Sequence, residues 1–168
     1  FSNNGNNTHR LGHNQFSGMT TDEFRSYLGR SYRKVGYHHV SVGHSILSGA
    51  DSSVNWVDKG GVTPVKNQGQ CGSCWSFSTT GSLEGAYFVK TGTLSSFSEQ
   101  QLVDCDRRIH GGSNSGCNGG LMDNALKWIG SNGGLCLEDE YPYYSGDTKD
   151  WGTCATTCEP VSASKVTS

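Results

Sequence analysis

The alternation of apolar and polar positions along the chain predicts four helices separated by glycine-rich turns. The first is a short amphipathic helix over 21–28. Thr20 and Glu23 have the spacing of a capping box, and Gly29 is a stop signal. Apolar residues then recur at helical intervals: Phe24, Tyr27 and Leu28. Residues 1–19 before this helix are rich in asparagine and glycine, as is typical of turns.

The longest predicted helix runs from Ser73 to Lys90, and Gly92 follows it as a C-terminal stop. Its apolar positions fall near a period of 3.6 residues, so we expect one face of the helix to be buried. That face would consist of Trp75, Thr79, Leu83, Ala86 and Val89.

Two shorter helices are predicted further along. Ser98 and Gln101 have capping-box spacing and start one of them, which continues through Leu102 and Val103. The other follows a glycine turn at 117–120 and ends at two consecutive glycines, Gly133 and Gly134. Its apolar residues have the spacing of an amphipathic helix: Met122, Ala125, Leu126 and Ile129.

The remaining segments show no helical period. Residues 30–53 mix basic residues and histidines with serine and glycine, which indicates an exposed linker. An irregular, cysteine-bearing tail begins at Tyr141. Residues 164–168 are expected to start a strand whose partner is not in this sequence.

Composition limits the classes of function. Only 33% of the 168 residues are hydrophobic and 24 are glycine, which favours a loop-rich chain, a disulfide-stapled one, or part of a larger protein. The net charge of −2 gives no reason to expect nucleic acid or an anionic membrane as a partner. No apolar run approaches the roughly 18 residues of a membrane span. We also expect a monomer.

Seven cysteines favour the oxidising secretory pathway over the cytosol. Because the number is odd, three disulfides would leave one free thiol. The sequence begins at Phe1 without an initiator methionine, so the lack of a signal peptide does not indicate a cytosolic protein. A glycosylation sequon at Asn6 adds weak support for secretion. The expected location is a lysosome or vacuole, or the extracellular space.

Candidate chemistry centres on Cys74. The run from Gln68 to Trp75 reads Gln-Gly-Gln-Cys-Gly-Ser-Cys-Trp and is typical of the turn that carries a nucleophilic cysteine. Cys74 lies at the start of the longest predicted helix, where unpaired N–H groups and the positive end of the helix dipole favour the reactive thiolate. Its backbone N–H and the side-chain amide of Gln68 are both able to donate to a developing oxyanion.

Three stretches resemble papain-family cysteine peptidases, nearest to cathepsin L. Residues 56–104 contain Val-Thr-Pro-Val-Lys-Asn-Gln-Gly-Gln-Cys-Gly-Ser-Cys-Trp and Phe-Ser-Glu-Gln-Gln-Leu-Val-Asp, and 117–122 read Cys-Asn-Gly-Gly-Leu-Met. Residues 11–24 resemble the end of the family's inhibitory propeptide. The resemblance implies an α+β, papain-like fold represented mainly by its α-helical left domain, with the β-rich right domain missing.

This resemblance also implies a domain division and a set of site residues. Residues 1–29 would be the propeptide end, 30–53 a linker with the activation cleavage at about 46–54, and 54–168 the helical part of the peptidase domain. Cys74 would be the nucleophile and Gln68 the oxyanion donor. The residues that would contact the substrate are Ser73, Trp75, Gly119, Gly120, Leu121 and Met122. The implied activity is peptide-bond hydrolysis through an acyl-thioester, on protein or peptide substrates, with the propeptide as inhibitor and no metal or organic cofactor.

Two departures from the family pattern affect this interpretation. Gly18 stands where the propeptide pattern usually has aspartate. The family's catalytic histidine, about 130–150 residues after the cysteine, and its Asn-Ser-Trp-Gly stretch have no counterpart, because the one histidine after Cys74 is His110. Loss of a catalytic base costs on the order of 10⁶ in kcat in a related acyl-transfer enzyme. We therefore expect these 168 residues alone to be nearly inactive.

The other six cysteines are assigned in pairs. The resemblance pairs Cys71 with Cys117, and Cys105 with a cysteine near 154 or 158. We assign Cys105–Cys154 and Cys136–Cys158, although spacing alone permits 15 patterns.

Three alternative functions are compatible with parts of the sequence. Cys71 and Cys74 have the spacing of a redox pair, but the βαβ context of such a pair is absent. Zinc could use those two cysteines with Cys105 and Cys117, which are too far apart to form a second CxxC pair. The chain could also be a non-catalytic, propeptide-like inhibitor or binding protein.

Overall fold

The computed structural model describes residues 11–28 and 53–166. Five helices occur in these residues: α1 (Thr21–Tyr27), α2 (Cys74–Thr91), α3 (Glu99–Cys105), α4 (Met122–Asn132) and α5 (Ser145–Thr148). Two 3₁₀ turns, Arg108–His110 and Ser162–Ser164, accompany them. The described ranges contain isolated β-bridges but no strand, as expected for the helical left domain alone. None of their helices has the length and apolar character of a membrane span.

The predicted helix ends are confirmed where local chemistry sets them. At α1, the Thr20 backbone N–H donates to Glu23 Oε2 at 2.7 Å and the Glu23 N–H donates to Thr20 Oγ1 at 3.3 Å, which is a complete capping box. Gly29 lies outside the described residues. Helices α2 and α4 end at Gly92 and Gly133, whose φ angles of 77° and 87° are in the left-handed region that favours glycine.

The capping box predicted for α3 is only half formed. Ser98 Oγ accepts from the Gln101 N–H at 2.9 Å. The Gln101 side chain instead accepts from the Cys136 N–H at 2.9 Å, and the Ser98 N–H donates to the Cys136 carbonyl at 3.0 Å. The glutamine therefore ties α3 to a distant loop, because that loop lies where the box would have closed.

Helix α2 packs against both α3 and α4 around one hydrophobic core. The buried members of this core are Cys71, Trp75, Leu83, Phe97, Leu102, Val103, Ala125, Ile129 and Leu135. On α4, the predicted positions Ala125 and Ile129 are buried, Leu126 is half-buried and Met122 is exposed.

The predicted buried face of α2 is wrong in its second half. Trp75, Thr79 and Leu83 are buried, but Ala86 and Val89 are exposed. Thr80 and Glu84 are buried instead. The cause is the chain segment before the helix, because Thr63 and Lys66 lie beside Glu84 and hydrogen-bond to its carboxylate.

The strand expected from residue 164 is not observed. Ser164 ends a 3₁₀ turn, and its Oγ accepts from the Leu135 N–H at 2.9 Å. Residues 165–166 have no regular structure, and 167–168 lie outside the described residues. Except for Ser53, the predicted linker over 30–53 also lies outside them.

Candidate active site

Cys74 is the free cysteine, and its side chain is exposed at the first turn of α2. The other six cysteines form the disulfides Cys71–Cys117, Cys105–Cys154 and Cys136–Cys158. Because Cys71 is bonded to Cys117, the redox pair with Cys74 is wrong. The zinc hypothesis is wrong for the same reason, since three of its four sulfurs are in disulfides, and the described residues contain no other cluster that could hold a metal.

Two N–H donors lie at this cysteine. The Cys74 backbone N–H makes no hydrogen bond within the described part of the chain. Gln68 Nε2 donates to the Cys71 carbonyl at 2.8 Å, which holds the side-chain amide beside the nucleophile turn. The same nitrogen donates to the Tyr27 carbonyl at 3.0 Å. A neutral amide and a helix N-terminus suit a developing oxyanion at this position.

The segment at the end of α1 hydrogen-bonds to both Gln68 and Cys74. Cys74 Sγ donates to the Leu28 carbonyl at 3.6 Å, next to the bond between Gln68 and Tyr27. Tyr27 packs edge-on against Phe16, with ring centroids 4.9 Å apart, which stabilises this end of the segment. Burial raises the pKa of Tyr27, and the nearby charge of Cys74 adds to the shift.

Tyr143 is a site residue that the sequence analysis missed. Its hydroxyl donates to the Gln68 carbonyl at 2.7 Å and lies 2.7 Å from Ser73 Oγ. Burial raises the pKa of Tyr143 to about 12, so the hydroxyl keeps its proton as a donor. Tyr143 thereby links Ser73, the residue before Cys74, to Gln68, the candidate oxyanion donor. The only signal in the sequence was its place in the run Tyr-Pro-Tyr-Tyr.

A second loop, which contains Gly119 and Gly120, is attached to the turn that carries Cys74. The disulfide at Cys117 and a hydrogen bond of 2.9 Å from the Gly72 N–H to the Cys117 carbonyl attach this loop to the nucleophile turn. A Cβ on Gly120 would lie 2.6 Å from the Trp75 ring, so only glycine fits there. The N–H and carbonyl of Gly120 make no hydrogen bond in the described part of the chain.

The other expected substrate contacts separate into two groups. Leu121 and Met122 are 37% and 43% exposed beside the glycines, where a ligand could reach them. Ser73 and Trp75 are 0% and 1% exposed. Their side chains are therefore buried, and the contact of these two residues with a substrate stays a prediction. The Trp75 side chain supports the neighbouring loop, since its indole N–H donates to the Gly116 carbonyl at 3.1 Å.

Within the described ranges, 11–28 and 53–166, no basic side chain hydrogen-bonds to the Cys74 thiol. His110, the one histidine after Cys74 in sequence, is exposed at the end of a 3₁₀ turn and has no hydrogen bond to the thiol.

A buried group of charges lies beneath the site. Lys66 Nζ is 2.8 Å from Glu84 Oε1 and 2.7 Å from Glu99 Oε1, and both carboxylates are almost fully buried. Burial alone would lower the pKa of Lys66, but the two glutamates outweigh it and raise that pKa. The second oxygens of Glu99 and Glu138 are buried and have no hydrogen-bond partner among the described residues. Burial, followed by the charge of Glu99, raises the pKa of Glu138 to about 7.

Comparisons with known proteins agree with this geometry. A family model described as papain family cysteine protease matches residues 50–168. The chain is 50% identical over 143 residues to digestive cysteine proteinase 1 of Homarus americanus, covering 83% of this chain and 42% of the relative. It is 48% identical over 147 residues to procathepsin L of Mus musculus, covering 84% of this chain and 40% of the relative.

A solved structure gives the same result. The crystal structure of the Amb a 11 cysteine protease, a ragweed pollen allergen, in its proform is 43% identical, with a TM-score of 0.58. The match covers 67% of this chain and 32% of that one. The chain thus spans well under half the length of the proteins that it matches.

Proposed function

The chain belongs to the papain family of cysteine proteases, and on that basis we propose that the protein is the precursor of an endopeptidase with Cys74 as its nucleophile. The observation that carries this proposal is the free, exposed Cys74 at the start of α2, with the Gln68 amide beside it.

The reaction follows from these groups. The Cys74 thiolate attacks the carbonyl carbon of a peptide bond, and a C–S bond forms while the carbonyl oxygen becomes an oxyanion. The Cys74 N–H and Gln68 Nε2 donate to that oxygen. The C–N bond then breaks, the amine leaves with a proton, and water hydrolyses the acyl-thioester to return the thiol. We place the histidine that moves these protons, and the asparagine that orients it, in the part of the relatives' length that this chain does not span.

The substrate would bind beside the two glycines. The N–H and carbonyl of Gly120, which make no hydrogen bond to the described residues, suit an extended peptide backbone, and the missing Cβ permits close approach. Leu121 and Met122 would line the pocket for the residue before the cleaved one, with an apolar preference.

Residues 1–29 act in this proposal as an inhibitory propeptide, 30–53 as a linker cut at about 46–54, and 54–168 as the helical part of the peptidase domain. The support is that the Tyr27 carbonyl accepts a hydrogen bond from Gln68 Nε2, the group that would otherwise donate to the oxyanion. Removal of the propeptide would free that donor.

An apolar surface beside the second half of α2 supports the presence of a second lobe. Several large side chains before the nucleophile are exposed: Val54, Trp56, Val57, Val62 and Val65. A cavity of about 500 Å³ lies among this segment and α2. We propose that the β-rich right domain covers this surface in the full-length protein, the product of the complete coding sequence.

The remaining proposals follow from the disulfides and the family. Three bridges fit an oxidising compartment, so we assign the protein to the secretory pathway, with a lysosomal, vacuolar or extracellular destination. Protein or peptide substrates and a monomeric state complete the proposal.

Labelling with a peptidyl epoxide at neutral pH tests the function. We expect the activated full-length protein to be labelled one-to-one at Cys74, and Cys74→Ala to remain unlabelled. The 168-residue chain alone should react slowly, because it lacks the base. Unlabelled full-length protein would contradict the proposed function, and rapid labelling of the short chain would contradict the missing base.

The coding sequence after codon 168 distinguishes the peptidase from the remaining alternative, a non-catalytic inhibitor or binding protein. A histidine-bearing segment and Asn-Ser-Trp-Gly there support the peptidase. A stop codon favours the inhibitor or binding protein, and that alternative then predicts that the 168-residue chain inhibits a related protease.

A further inference from the structure

The loop beside Cys74 carries a short segment, Gly119–Leu121, which we call the substrate wall. Three attachments join the start of this loop to the nucleophile turn: the disulfide at Cys117, the hydrogen bond from the Gly72 N–H to the Cys117 carbonyl, and the indole bond from Trp75 to Gly116. None of them reaches the end of the wall at Leu121. A different group holds that end.

Asn114 holds Leu121 through both of its backbone groups. Asn114 Oδ1 accepts from the Leu121 N–H at 2.8 Å, and Asn114 Nδ2 donates to the Leu121 carbonyl at 3.3 Å. The asparagine is 4% exposed, so water does not compete for these bonds. At the end of the wall, the Asn114 side chain therefore makes the two backbone hydrogen bonds that a neighbouring strand would make in a sheet.

Asp106 sets the orientation of that amide. Asp106 is fully buried just after α3, and its Oδ2 accepts from Asn114 Nδ2 at 2.5 Å. An ionised carboxylate only accepts hydrogen bonds, so the amide nitrogen must face Asp106 and Oδ1 must face the Leu121 N–H. Asp106 Oδ1 also accepts from the Ser113 N–H at 3.1 Å, and the Asp106 carbonyl accepts from the Asn114 N–H at 3.1 Å.

Gly120 packs directly against the side chains of Asn114 and Trp75. A Cβ at Gly120 would be 2.7 Å from Asn114 Cγ and 2.6 Å from the Trp75 ring. The two side chains thus set the depth of Gly120, while its own N–H and carbonyl have no partner in the described residues. Any shift of the Asn114 side chain would change where that backbone stands relative to Cys74.

We propose that Asn114, oriented by Asp106, is a positioning residue for substrate binding: it fixes the backbone of Gly120 and Leu121 at the height where an extended peptide pairs with it. This inference rests on the proposed peptidase function. Asn114 acts on the wall and does not touch the thiol. Its loss should therefore weaken peptide binding and leave the reactivity of Cys74 unchanged.

The test compares two reactions of the activated full-length protein. One is hydrolysis of a fluorogenic tripeptide amide, which needs the wall. The other is alkylation of Cys74 by iodoacetamide, which does not. For Asn114→Ala we expect KM to rise about tenfold or more with kcat nearly constant, since binding common to ground and transition states is lost. The alkylation rate should stay within about twofold.

A swapped pair distinguishes orientation from mere packing. Asn114→Asp places two carboxylates against each other and should raise KM at least as much as the alanine variant. The double variant Asp106→Asn with Asn114→Asp restores an amide facing a carboxylate, with an oxygen still available to the Leu121 N–H, and should recover most of the lost affinity. Ser113→Ala is the matched control, because that exposed side chain makes no hydrogen bond in the described part of the chain.

Each outcome decides the inference. An unchanged KM in Asn114→Ala, or no recovery in the swapped pair, overturns it. A parallel fall of hydrolysis and alkylation also overturns it, as does failure of all three variants to fold, because the pair would then support the whole lobe. If the wild-type protein cleaves no peptide, the proposed function is lost and this inference with it. If the wild type cleaves and Asn114→Ala behaves identically, the inference alone is lost.

Discussion

The side-chain amide of Gln68 donates a hydrogen bond to the backbone carbonyl of Tyr27 at 3.0 Å, although 41 residues separate them in sequence. The Tyr27 carbonyl thus accepts the hydrogen bond from Gln68 that the carbonyl oxygen of a substrate would need. Beside it, the Leu28 carbonyl accepts from the Cys74 thiol. Two consecutive carbonyls of one segment therefore hydrogen-bond to both the Gln68 amide and the Cys74 thiol, as the proposed inhibitory role of residues 1–29 requires.

Gln68→Ala tests the oxyanion donor. Without Nε2, the developing charge loses one of its two N–H donors, so kcat for a peptide substrate should fall by about 10²–10³. The measurement is steady-state hydrolysis by the activated full-length protein. Gln70→Ala is the matched control, since that exposed residue lies two positions away and its side chain makes no hydrogen bond in the described ranges. Equal activities of the two variants would remove Gln68 from the site.

Tyr143→Phe should affect both stability and catalysis. The change removes the hydroxyl that bonds the half-buried Gln68 carbonyl and the buried Ser73 Oγ, and should cost about 1–2 kcal/mol in the free energy of unfolding. The hydrolysis rate should also fall several-fold, because Gln68 loses its backbone anchor. Denaturant unfolding and kinetics of the full-length protein measure the two effects.

The control for that variant is Tyr87→Phe. Tyr87 packs edge-on against Phe97 in the same core, and its hydroxyl makes no hydrogen bond in the described part of the chain. If Tyr87→Phe lost as much stability and activity as Tyr143→Phe, removal of any tyrosine hydroxyl from the core would explain the effect.

Lys66→Met should be strongly destabilising. It leaves the carboxylates of Glu84 and Glu99 buried without their cation. We expect a loss of about 2–4 kcal/mol, below the value for a fully buried pair, because the lysine side chain keeps 24% exposure. Lys90→Met, an exposed position at the end of α2, should change stability little. Thermal unfolding of both variants decides the matter, and similar melting temperatures would contradict the prediction.

Glu138→Gln should change how stability depends on pH. The pKa of Glu138 is about 7 in the folded protein against 4.5 as its ordinary value, so the folded state binds this proton more tightly. The resulting stability is present below pH 4.5 and is lost as pH rises to about 7, by an amount on the order of 1–3 kcal/mol.

Glutamine resembles the protonated acid. It can still accept from the Tyr143 N–H and can donate to the unpaired oxygen of Glu99. The variant should therefore be more stable than the wild type at pH 7 and similar to it near pH 4.5. Melting temperatures between those two pH values test this, and parallel curves for the two proteins would exclude a proton on Glu138.

The sequence by itself determined the helix ends and singled out the candidate nucleophile. Thr20 with Glu23, and the glycines at 92 and 133, act within a turn of where they stand, so short-range chemistry was enough. Cys74 was identifiable because the residues around it form a local motif at the start of a helix. The same reasoning found Gln68, which lies on the approach to that turn.

Only the tertiary structure decided which face of α2 is buried and what supports the site. Glu84 is inside because Lys66 is folded back onto it, and no period along α2 contains that information. Tyr143 meets Gln68 across 75 residues of sequence. Contacts of this kind depend on how distant segments are brought together by packing and disulfides, and a hydroxyl or an amide shows its partner only when the chain around it is folded.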